Sequence, residues 1–448
     1  MSILNSVGLK NVQPAPYLNT GTLLDIALGS YERGVKNHWI LNGGLAPISG
    51  VVGRAGTYKS TVVDSIIAQI LVRYPSIEVW KHDTEQNTFT LTRFDKMAGS
   101  DKISERIRLT NSVETTLPEF MAMLKSICNH KEKNKHDYIV ETPFFDDEGK
   151  VKLMWIPTLI DIDSFTCLRP LQEEINMGKV DVEDGSHNMA DMTDGKIKRK
   201  LMFEFSRLAS RYGIYFLMTA HIDDTPVLDP RNPAQKQLQF LKQSDRIKGV
   251  GSQFEFLTNI LLQGTSPSPI LDSNKGPEYP DGNTMNVDIN ELYMKILRCK
   301  TNATGTIVPL VMSQSLGILA HLTNYHYLKN SGDFGFIKKG HNRYAVLCPD
   351  TLLHRNSIIN VIGSNYETGR ALEILAQLKW VASYWNIKSQ PVNIPETAEA
   401  FVEMIAKSDT LAISDILNSR GYWTFNQDDP RPYMSLFDIL DIVNGASK

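Results

Sequence analysis

One stretch of nine residues, 53–61, carries the residue types that grip a polyphosphate: Gly-Arg-Ala-Gly-Thr-Tyr-Lys-Ser-Thr. A loop of this kind points backbone N–H groups and a helix N-terminus at the phosphates, its lysine reaches the terminal phosphates, and the next hydroxyl ligates Mg²⁺. Lys59 and Ser60 have the required spacing from the first glycine, but Tyr58 replaces the usual second glycine. We expect Tyr58 to keep a φ that is not positive, with Gly56 absorbing part of the bend.

The elements around this loop fit the same chemistry. An apolar run, 48–52, precedes it and an amphipathic run, 62–72, follows it, which predicts a strand, a tight turn and a helix. An ordinary loop that caps a helix is the alternative. The predicted nucleotide contacts within the loop are Gly53, Arg54, Ala55, Gly56, Thr57, Tyr58, Lys59, Ser60 and Thr61.

Two further apolar runs, 77–81 and 155–164, end in carboxylates. The carboxyl ends of parallel strands face the crevice in which such sheets bind ligands, so an acid there could orient the water that attacks a γ-phosphate. Glu85 is the candidate after the first run, and a solvated acidic turn is the alternative. Asp161 and Asp163 share one face of the second strand. Asp163, the more C-terminal, is expected at the crevice rim, where it would hold Mg²⁺ through a water, with Asp161 as the fallback.

Histidine and cations end other predicted strands. His221 follows the strand predicted at 214–220, where a structural role is the alternative to a functional one. The strand at 291–300 places Arg298 and Lys300 on one face. Two such cations could stabilise the charge that develops in phosphoryl transfer, or they could be exposed strand charges.

Basic residues concentrate in two segments. The densest cluster is Lys196, Lys198, Arg199 and Lys200. The second segment, 222–251, is polar and unusually long for a loop inside a compact domain, which indicates function or disorder. Its candidates are Arg231, Lys236, Lys242, Arg246, Lys248, Gly249 and Gly251. A solvated charged face is the alternative for both segments.

Composition sets the broader limits. The 448 residues exceed what one core usually holds, so we expect one large domain and a smaller one. With 47 basic and 50 acidic residues, the global charge gives no sign of nucleic-acid binding. The four cysteines have no ligand-like spacing, so neither zinc nor a disulfide framework is indicated, and a cytoplasmic compartment fits. No apolar run is long enough for a membrane span, and no signal peptide is evident.

The order of these motifs resembles the RecA family of DNA strand-exchange ATPases. Thr-Gly-Thr-Leu-Leu-Asp-Ile-Ala-Leu at 20–28, Gly-Gly-Leu at 43–45 and the phosphate loop are similar to the opening of that family. The aromatic residue before the lysine most resembles phage UvsX-type recombinases. The likeness covers about residues 18–320 in seven motif regions. It implies an α/β fold with a RecA-like P-loop ATPase core, a twisted and mostly parallel sheet flanked by helices. The expected units are an N-terminal arm at 1–17, the core at 18–330 and a smaller mixed α+β C-terminal domain at 331–448.

The resemblance also implies roles for individual residues. Glu85 becomes the catalytic glutamate, and Phe94 is the match for an aromatic residue that stacks on adenine. His221 would couple the γ-phosphate to a DNA loop, and Arg298 and Lys300 would reach a neighbouring subunit's nucleotide. The basic cluster and the segment 222–251 match the family's two DNA loops, in which Phe240 could wedge between bases or pack internally. In RecA a lysine–phenylalanine pair reaches the neighbouring subunit's nucleotide. Glu255 and Phe256 stand at that position here, so the pair that makes this contact is not kept.

The implied function is an ATP-dependent recombinase with ATP and Mg²⁺ as cofactors. It would form filaments on single-stranded DNA, pair it with homologous double-stranded DNA and exchange strands, as a phage protein in the host cytoplasm. A single-stranded-DNA-binding protein and a loading mediator are candidate partners. A ring helicase with the same core is one alternative. A non-hydrolysing recombination mediator is another, and Tyr58 and Glu255, which depart from the family's residues, favour it.

Overall fold

The computed structural model of the chain describes residues 15–85, 90–113, 115–168, 187–225, 236–280, 288–340, 342–385, 392–425 and 429–445, with the backbone alone for 187–194. The strands are β1 (Ser30–Arg33), β2 (Trp39–Asn42), β3 (Ile48–Gly53), β4 (Glu78–Asp83), β5 (Ile107–Asn111), β6 (Ile139–Phe145), β7 (Val151–Trp155), β8 (Thr158–Asp163), β9 (Ile214–Asp224), β10 (Asp245–Ile247), β11 (Ile260–Gly264), β12 (Ser268–Pro269), β13 (Asn290–Cys299), β14 (Ile307–Ser313), β15 (Gly317–Ile318), β16 (Phe336–Lys339), β17 (Asn342–Ala345) and β18 (Cys348–Leu353). The helices are α1 (Leu23–Leu28), α2 (Lys59–Arg73), α3 (Thr92–Ala98), α4 (Leu117–Lys133), α5 (Lys135–Tyr138), α6 (His187–Tyr212), α7 (Ser252–Leu257), α8 (Ala320–Asn330), α9 (Ile358–Ser364), α10 (Tyr366–Tyr384), α11 (Ala398–Ala406), α12 (Ile413–Leu417) and α13 (Leu436–Val443).

A large mixed sheet forms the centre of the molecule. Its strand order is β15-β14-β13-β11-β3-β9-β8-β4-β5, and β10 and β12 pair with β9 and β13. The run from β11 to β5 is parallel throughout, whereas β13, β14 and β15 add antiparallel pairings at one edge. Apolar side chains from both faces are covered by helices and fill two core clusters. The predicted α/β class and the mostly parallel sheet are therefore confirmed.

The strand before the phosphate loop and the helix after it are both deeply buried. Every residue of β3 is buried, and Gly50 is needed there because an added Cβ would lie 2.7 Å from Leu261 and 3.0 Å from Phe254. The helix α2 was predicted to be amphipathic, but it is buried on nearly every side because β15 and α3 pack against it along with the sheet. Val62, Ile67 and Leu71 are fully covered. The loop between these elements is thus held by a rigid frame.

The segment after residue 330 packs onto the same core. It contains the antiparallel sheet β16-β17-β18 and helices α9 to α13, and its apolar residues belong to the cluster that also holds residues of α1 and α2. Trp423 stacks edge-on against Tyr74, with ring centroids 5.2 Å apart, and its backbone N–H donates to Asn19. Within the described ranges, no helix has the length and apolar character that a bilayer crossing requires.

Candidate functional site

A cleft of about 470 Å³ opens where the carboxyl ends of β3, β4, β8 and β9 meet. Two parts of the chain that are far apart in sequence, the 53–61 loop and the strand-end acids, converge on it. Its lining includes Ala55, Gly56, Thr57, Tyr58, Lys59, Ser60, Thr61, Asp64, Lys81, Asp83, Glu85, Arg93, Asp163, His221 and Gln314. The fold therefore brings most of the predicted phosphate and catalytic residues to one place.

The loop curls around its own lysine. Lys59 Nζ donates to the carbonyl oxygen of Arg54 at 3.0 Å, and the Thr57 hydroxyl donates to the same oxygen at 2.8 Å. Lys59 also begins α2, so the unpaired N–H groups of that helix end face the cleft. Burial lowers the pKa of Lys59, although Glu85 and Asp163 oppose the shift. A helix N-terminus with a partly desolvated ammonium is a strong site for a polyanion.

Tyr58 adopts the conformation that we expected it to avoid. Its φ is 56° and its ψ is 24°, which is the left-handed region, and Gly56 has a φ of 74°. The prediction of a φ that is not positive was wrong, because the curl of the loop requires the same backbone at this position whether or not it is glycine. A Cβ in this region costs about 1–2 kcal/mol. The loop therefore keeps its shape at the expense of local strain.

This strain predicts a difference between two Tyr58 variants. Tyr58→Gly and Tyr58→Ala both lose the aromatic ring, but only alanine keeps a Cβ at the positive φ. We expect the glycine variant to be more stable to urea by about 1 kcal/mol. Equal midpoints and slopes for the two unfolding curves would show that the backbone at residue 58 carries no strain.

Glu85 and His221 form a direct pair in the cleft. Glu85 Oε1 lies 2.6 Å from His221 Nε2. This bond, with further help from Ser164, lowers the pKa of Glu85 to about 2 despite its partial burial. Glu85 is therefore an ionised hydrogen-bond acceptor throughout the neutral range. His221 was predicted to end its strand. Instead β9 continues past it to Asp224, and the last residues of β9 pair with β10.

Asp161 and Asp163 point to the same face, but their surroundings differ. Asp161 is fully buried and accepts a 2.6 Å bond from Lys81, whereas Asp163 lines the cleft. Asp163 Oδ1 accepts a 2.6 Å bond from Thr219, and its Oδ2 lies 3.6 Å from Lys81 Nζ. Of the two acids, Asp163 is thus the one placed to ligate a cation.

A buried ionic cluster beneath the cleft was missed by sequence reasoning. Lys81 contacts Asp64 at 3.1 Å as well as Asp161 and Asp163. Burial opposes the charge of Lys81, but the three carboxylates together hold its pKa well above its ordinary value. Arg93 adds a second cation, 3.7 Å from Asp64. The available signal was a lysine that ends the run 77–81 directly before His82 and Asp83.

The helix α3 presents a different residue to the cleft from the one predicted. Phe94 is fully buried in the core, so its assignment to adenine stacking is corrected. Its neighbour Arg93 lines the cleft and donates to the Thr61 hydroxyl at 2.7 Å and to the Gln314 carbonyl at 3.2 Å. Gln314, which follows β14, also accepts from Thr61 at 3.0 Å. Arg93 and Gln314 are therefore additional candidates for contact with a ligand.

Arg298 and Lys300 lie at the opposite end of the strands from the cleft, beside the amino-terminal end of β11. The end of β13 pairs with the start of β11, whereas the phosphate loop follows the end of β3. Arg298 donates to the carbonyls of Thr258 and Phe256 at 3.1 Å each. Neither cation can serve the cleft of its own chain. Nearby, Glu255 is buried, with a pKa that burial raises to about 7, while Phe256 is 58% exposed.

The first basic cluster divides into one buried residue and three exposed ones. Lys198 is 2% exposed and donates to the carbonyls of Thr166 at 2.9 Å and Gly249 at 2.7 Å. Its predicted contact with DNA is therefore corrected, because its ammonium joins two loops inside the protein. Lys196, Arg199 and Lys200 are exposed on α6.

In the described part of the second basic segment, β10 pairs with the end of β9, and we call this pair the hairpin. The strand β10 returns along β9, and Lys236, Lys242 and Lys248 are exposed, while Arg246 is half-buried. Gly249 and Gly251 have φ values of 63° and 72°. Arg231 lies outside the described residues. Residues 236–241 form bends and a turn. Phe240 packs against the core and against Gly305, so internal packing is the correct reading of that residue.

Arg54 connects this hairpin to the phosphate loop. Its guanidinium lies 2.6 Å from Asp224 and 3.0 Å from Asp245. Hydrogen bonds to these two carboxylates raise the pKa of Arg54 above its ordinary value. The loop that would hold phosphate and the hairpin that carries exposed lysines are thus in direct contact.

Comparison with known proteins adds no further guide to the site. The chain matches no protein-family model, and no curated protein is significantly similar to it in sequence.

Proposed function

We propose that this protein is a Mg²⁺-requiring, DNA-dependent ATPase of the RecA type that assembles on single-stranded DNA and promotes homologous pairing and strand exchange. The observation that supports it most directly is the convergence of Lys59, Glu85, Asp163 and His221 on one cleft at the carboxyl ends of parallel strands. This arrangement suits phosphoryl transfer, in which positioning and charge stabilisation supply most of the catalysis.

The residues of the cleft divide the chemistry between them. Lys59 would leave the Arg54 carbonyl and contact the terminal phosphates of ATP. Ser60 and Asp163 offer the oxygen ligands that Mg²⁺ prefers, and the ion would neutralise phosphate charge there. The ionised Glu85 would accept a hydrogen bond from the attacking water, and His221 would hold that carboxylate in place.

Nucleotide and DNA would be coupled through β9 and its hairpin. His221 contacts the catalytic acid, while Asp224 on the same strand contacts Arg54 of the phosphate loop. The exposed Lys236 and Lys242 precede β10 in the chain, and the exposed Lys248 directly follows it. A ligand that moves the phosphate loop would therefore bias the hairpin, and DNA on the hairpin would bias the loop to the same degree.

Assembly would complete the site. Because Arg298 and Lys300 lie at the opposite end of the strands from the cleft, they could only reach the phosphates bound by a neighbouring copy. Stacking copies so that the cleft end of one faces the Arg298 and Lys300 end of the next would bury ATP at each boundary and supply cations to it, as an arginine finger does. The result is a filament, with single-stranded and double-stranded DNA as its partners.

The experiment that tests this function is a joint-molecule assay. Circular single-stranded DNA and homologous linear duplex are incubated with the protein, ATP and Mg²⁺, and we expect joint molecules that need both ATP and homology. Unwinding of a forked duplex without joint molecules would favour a ring helicase. DNA binding without ATP hydrolysis would favour a recombination mediator.

The exposed cations of α6 give a prediction for DNA binding. Replacing Lys196, Arg199 and Lys200 together with alanine should weaken binding to single-stranded DNA and make it less dependent on salt. If each contacts one phosphate, the slope of log K against log salt should fall by about 2. Fluorescence anisotropy over a salt series measures this slope.

A matched control replaces three exposed cations outside α6 and the hairpin, namely Lys96, Lys102 and Arg108. This variant loses the same charge and should keep the wild-type slope. Equal slopes for the α6 variant and the wild type would remove α6 from the DNA path.

A further inference from the structure

Cys167 lies beside the Glu85–His221 pair. One ligand atom from each of the three residues, a carboxylate oxygen, an imidazole nitrogen and the thiol sulfur, falls within 4.8 Å of the other two. Cys167 lies 82 positions after Glu85 and 54 positions before His221, so no short sequence motif identifies the group. They are the mixture of ligands that zinc accepts in proteins.

The turn that carries Cys167 is fixed on several sides. The Cys167 backbone N–H donates to Ser164, and the Thr166 hydroxyl accepts from the His221 backbone N–H at 3.0 Å. The Lys198 ammonium donates a hydrogen bond to the Thr166 carbonyl oxygen. The thiol is therefore held near Glu85 and His221 by a braced turn and not by a free loop, which is the preorganisation that a metal site needs.

We propose that Cys167, His221 and Glu85 form a binding site for a thiophilic divalent cation such as Zn²⁺, distinct from the Mg²⁺ ligands Ser60 and Asp163. With bond lengths typical of zinc, tetrahedral ligand atoms stand roughly 3.4–3.7 Å apart. The 2.6 Å Glu85–His221 contact must therefore open by about 1 Å as the ion replaces the hydrogen bond. Among the described residues no fourth ligand joins this group, which leaves one coordination position for water.

Binding at this site has a clear consequence for the proposed ATPase. A thiol must lose its proton to ligate a metal ion, so affinity should rise with pH. The ion would also withdraw Glu85 from the attacking water. Zinc would thus inhibit hydrolysis without displacing Mg²⁺ or nucleotide. This consequence rests on the proposed function, whereas binding of the ion does not.

Cobalt titration of the nucleotide-free, full-length protein tests the site itself. We expect a thiolate-to-cobalt charge-transfer absorption that Zn²⁺ abolishes and excess Mg²⁺ does not. Cys167→Ser should lose this band, while Cys348→Ser, which alters another half-buried cysteine outside the cleft, should keep it. His221→Ala should weaken cobalt binding more than about 10-fold, since even outer-shell partners cost that much.

The result that overturns the proposal is a wild-type protein without the band, or a band that survives Cys167→Ser. A second measurement needs no variant. Zn²⁺ should slow alkylation of Cys167 in the wild type, followed by mass spectrometry, and leave the rate at Cys348 unchanged. Equal rates at Cys167 with and without Zn²⁺ would also reject the site. A protein with the cobalt band and no ATPase activity would instead reject the proposed function alone.

Discussion

Lys59→Ala is expected to abolish measurable ATP hydrolysis and to weaken nucleotide binding on the order of 100-fold. Lys59 is the cation at the start of α2, and it lines the cleft with its ammonium on the Arg54 carbonyl. Charge-assisted hydrogen bonds contribute about 1.5–3 kcal/mol each, so losing those to the terminal phosphates removes most of the binding free energy that the side chain supplies. Phosphate release with and without single-stranded DNA, together with a fluorescent-nucleotide titration, measures both effects.

Lys133→Ala serves as the control, because this lysine is exposed near the end of α4 and outside the cleft. It should keep wild-type turnover and affinity. An unfolding curve for Lys59→Ala that matches the wild type would show that the loss is local. Retained hydrolysis in Lys59→Ala would mean that the 53–61 loop is a helix cap and not a phosphate site.

Glu85→Gln is expected to lower turnover by about 10²–10⁴-fold, the range for losing a general base, while ATP affinity changes little. The amide keeps the size of the side chain and can still bond to His221, but it has no negative charge with which to polarise water. The hydrogen bond from His221 lowers the pKa of Glu85 to about 2, so the wild-type group is ionised well below neutral pH. The two variants therefore separate binding from chemistry.

Glu141→Gln, at an exposed position on β6, is the matched control. Single-turnover hydrolysis distinguishes slow chemistry from slow product release. We also expect Glu85→Gln to stay on single-stranded DNA longer with ATP, because the ATP-bound state persists. Wild-type turnover in Glu85→Gln would move the catalytic base to another residue, with Asp83 as the next acid in the cleft.

Local patterns predicted much of this cleft. The apolar runs before 53–61 and before the acids at 83–85 and 161–163 identified parallel strands with their ends together. Strand alternation correctly put Asp161 and Asp163 on one face. Strand alternation could not predict how deeply each aspartate is buried, because burial depends on the neighbouring strands. Asp161 accepts a hydrogen bond from the buried Lys81, whereas Asp163 faces the cleft.

The errors have physical causes of the same kind. A helix exposes a residue according to its phase, and one position separates the buried Phe94 from Arg93 in the cleft. Lys198 belongs to a basic run, yet helix phase turns it inward onto Thr166 and Gly249. Tyr58 shows that a loop can impose a glycine-like backbone on another residue. Contacts such as Cys167 with His221 arise only from tertiary structure.

Equilibrium binding of a fluorescent, slowly hydrolysed ATP analogue to the wild-type protein tests the central claim most directly. We expect saturable, Mg²⁺-dependent binding that reaches one nucleotide per chain and becomes tighter when a single-stranded oligonucleotide is added, because the two ligands stabilise one assembled state. No saturable binding with Mg²⁺ and oligonucleotide present would contradict it.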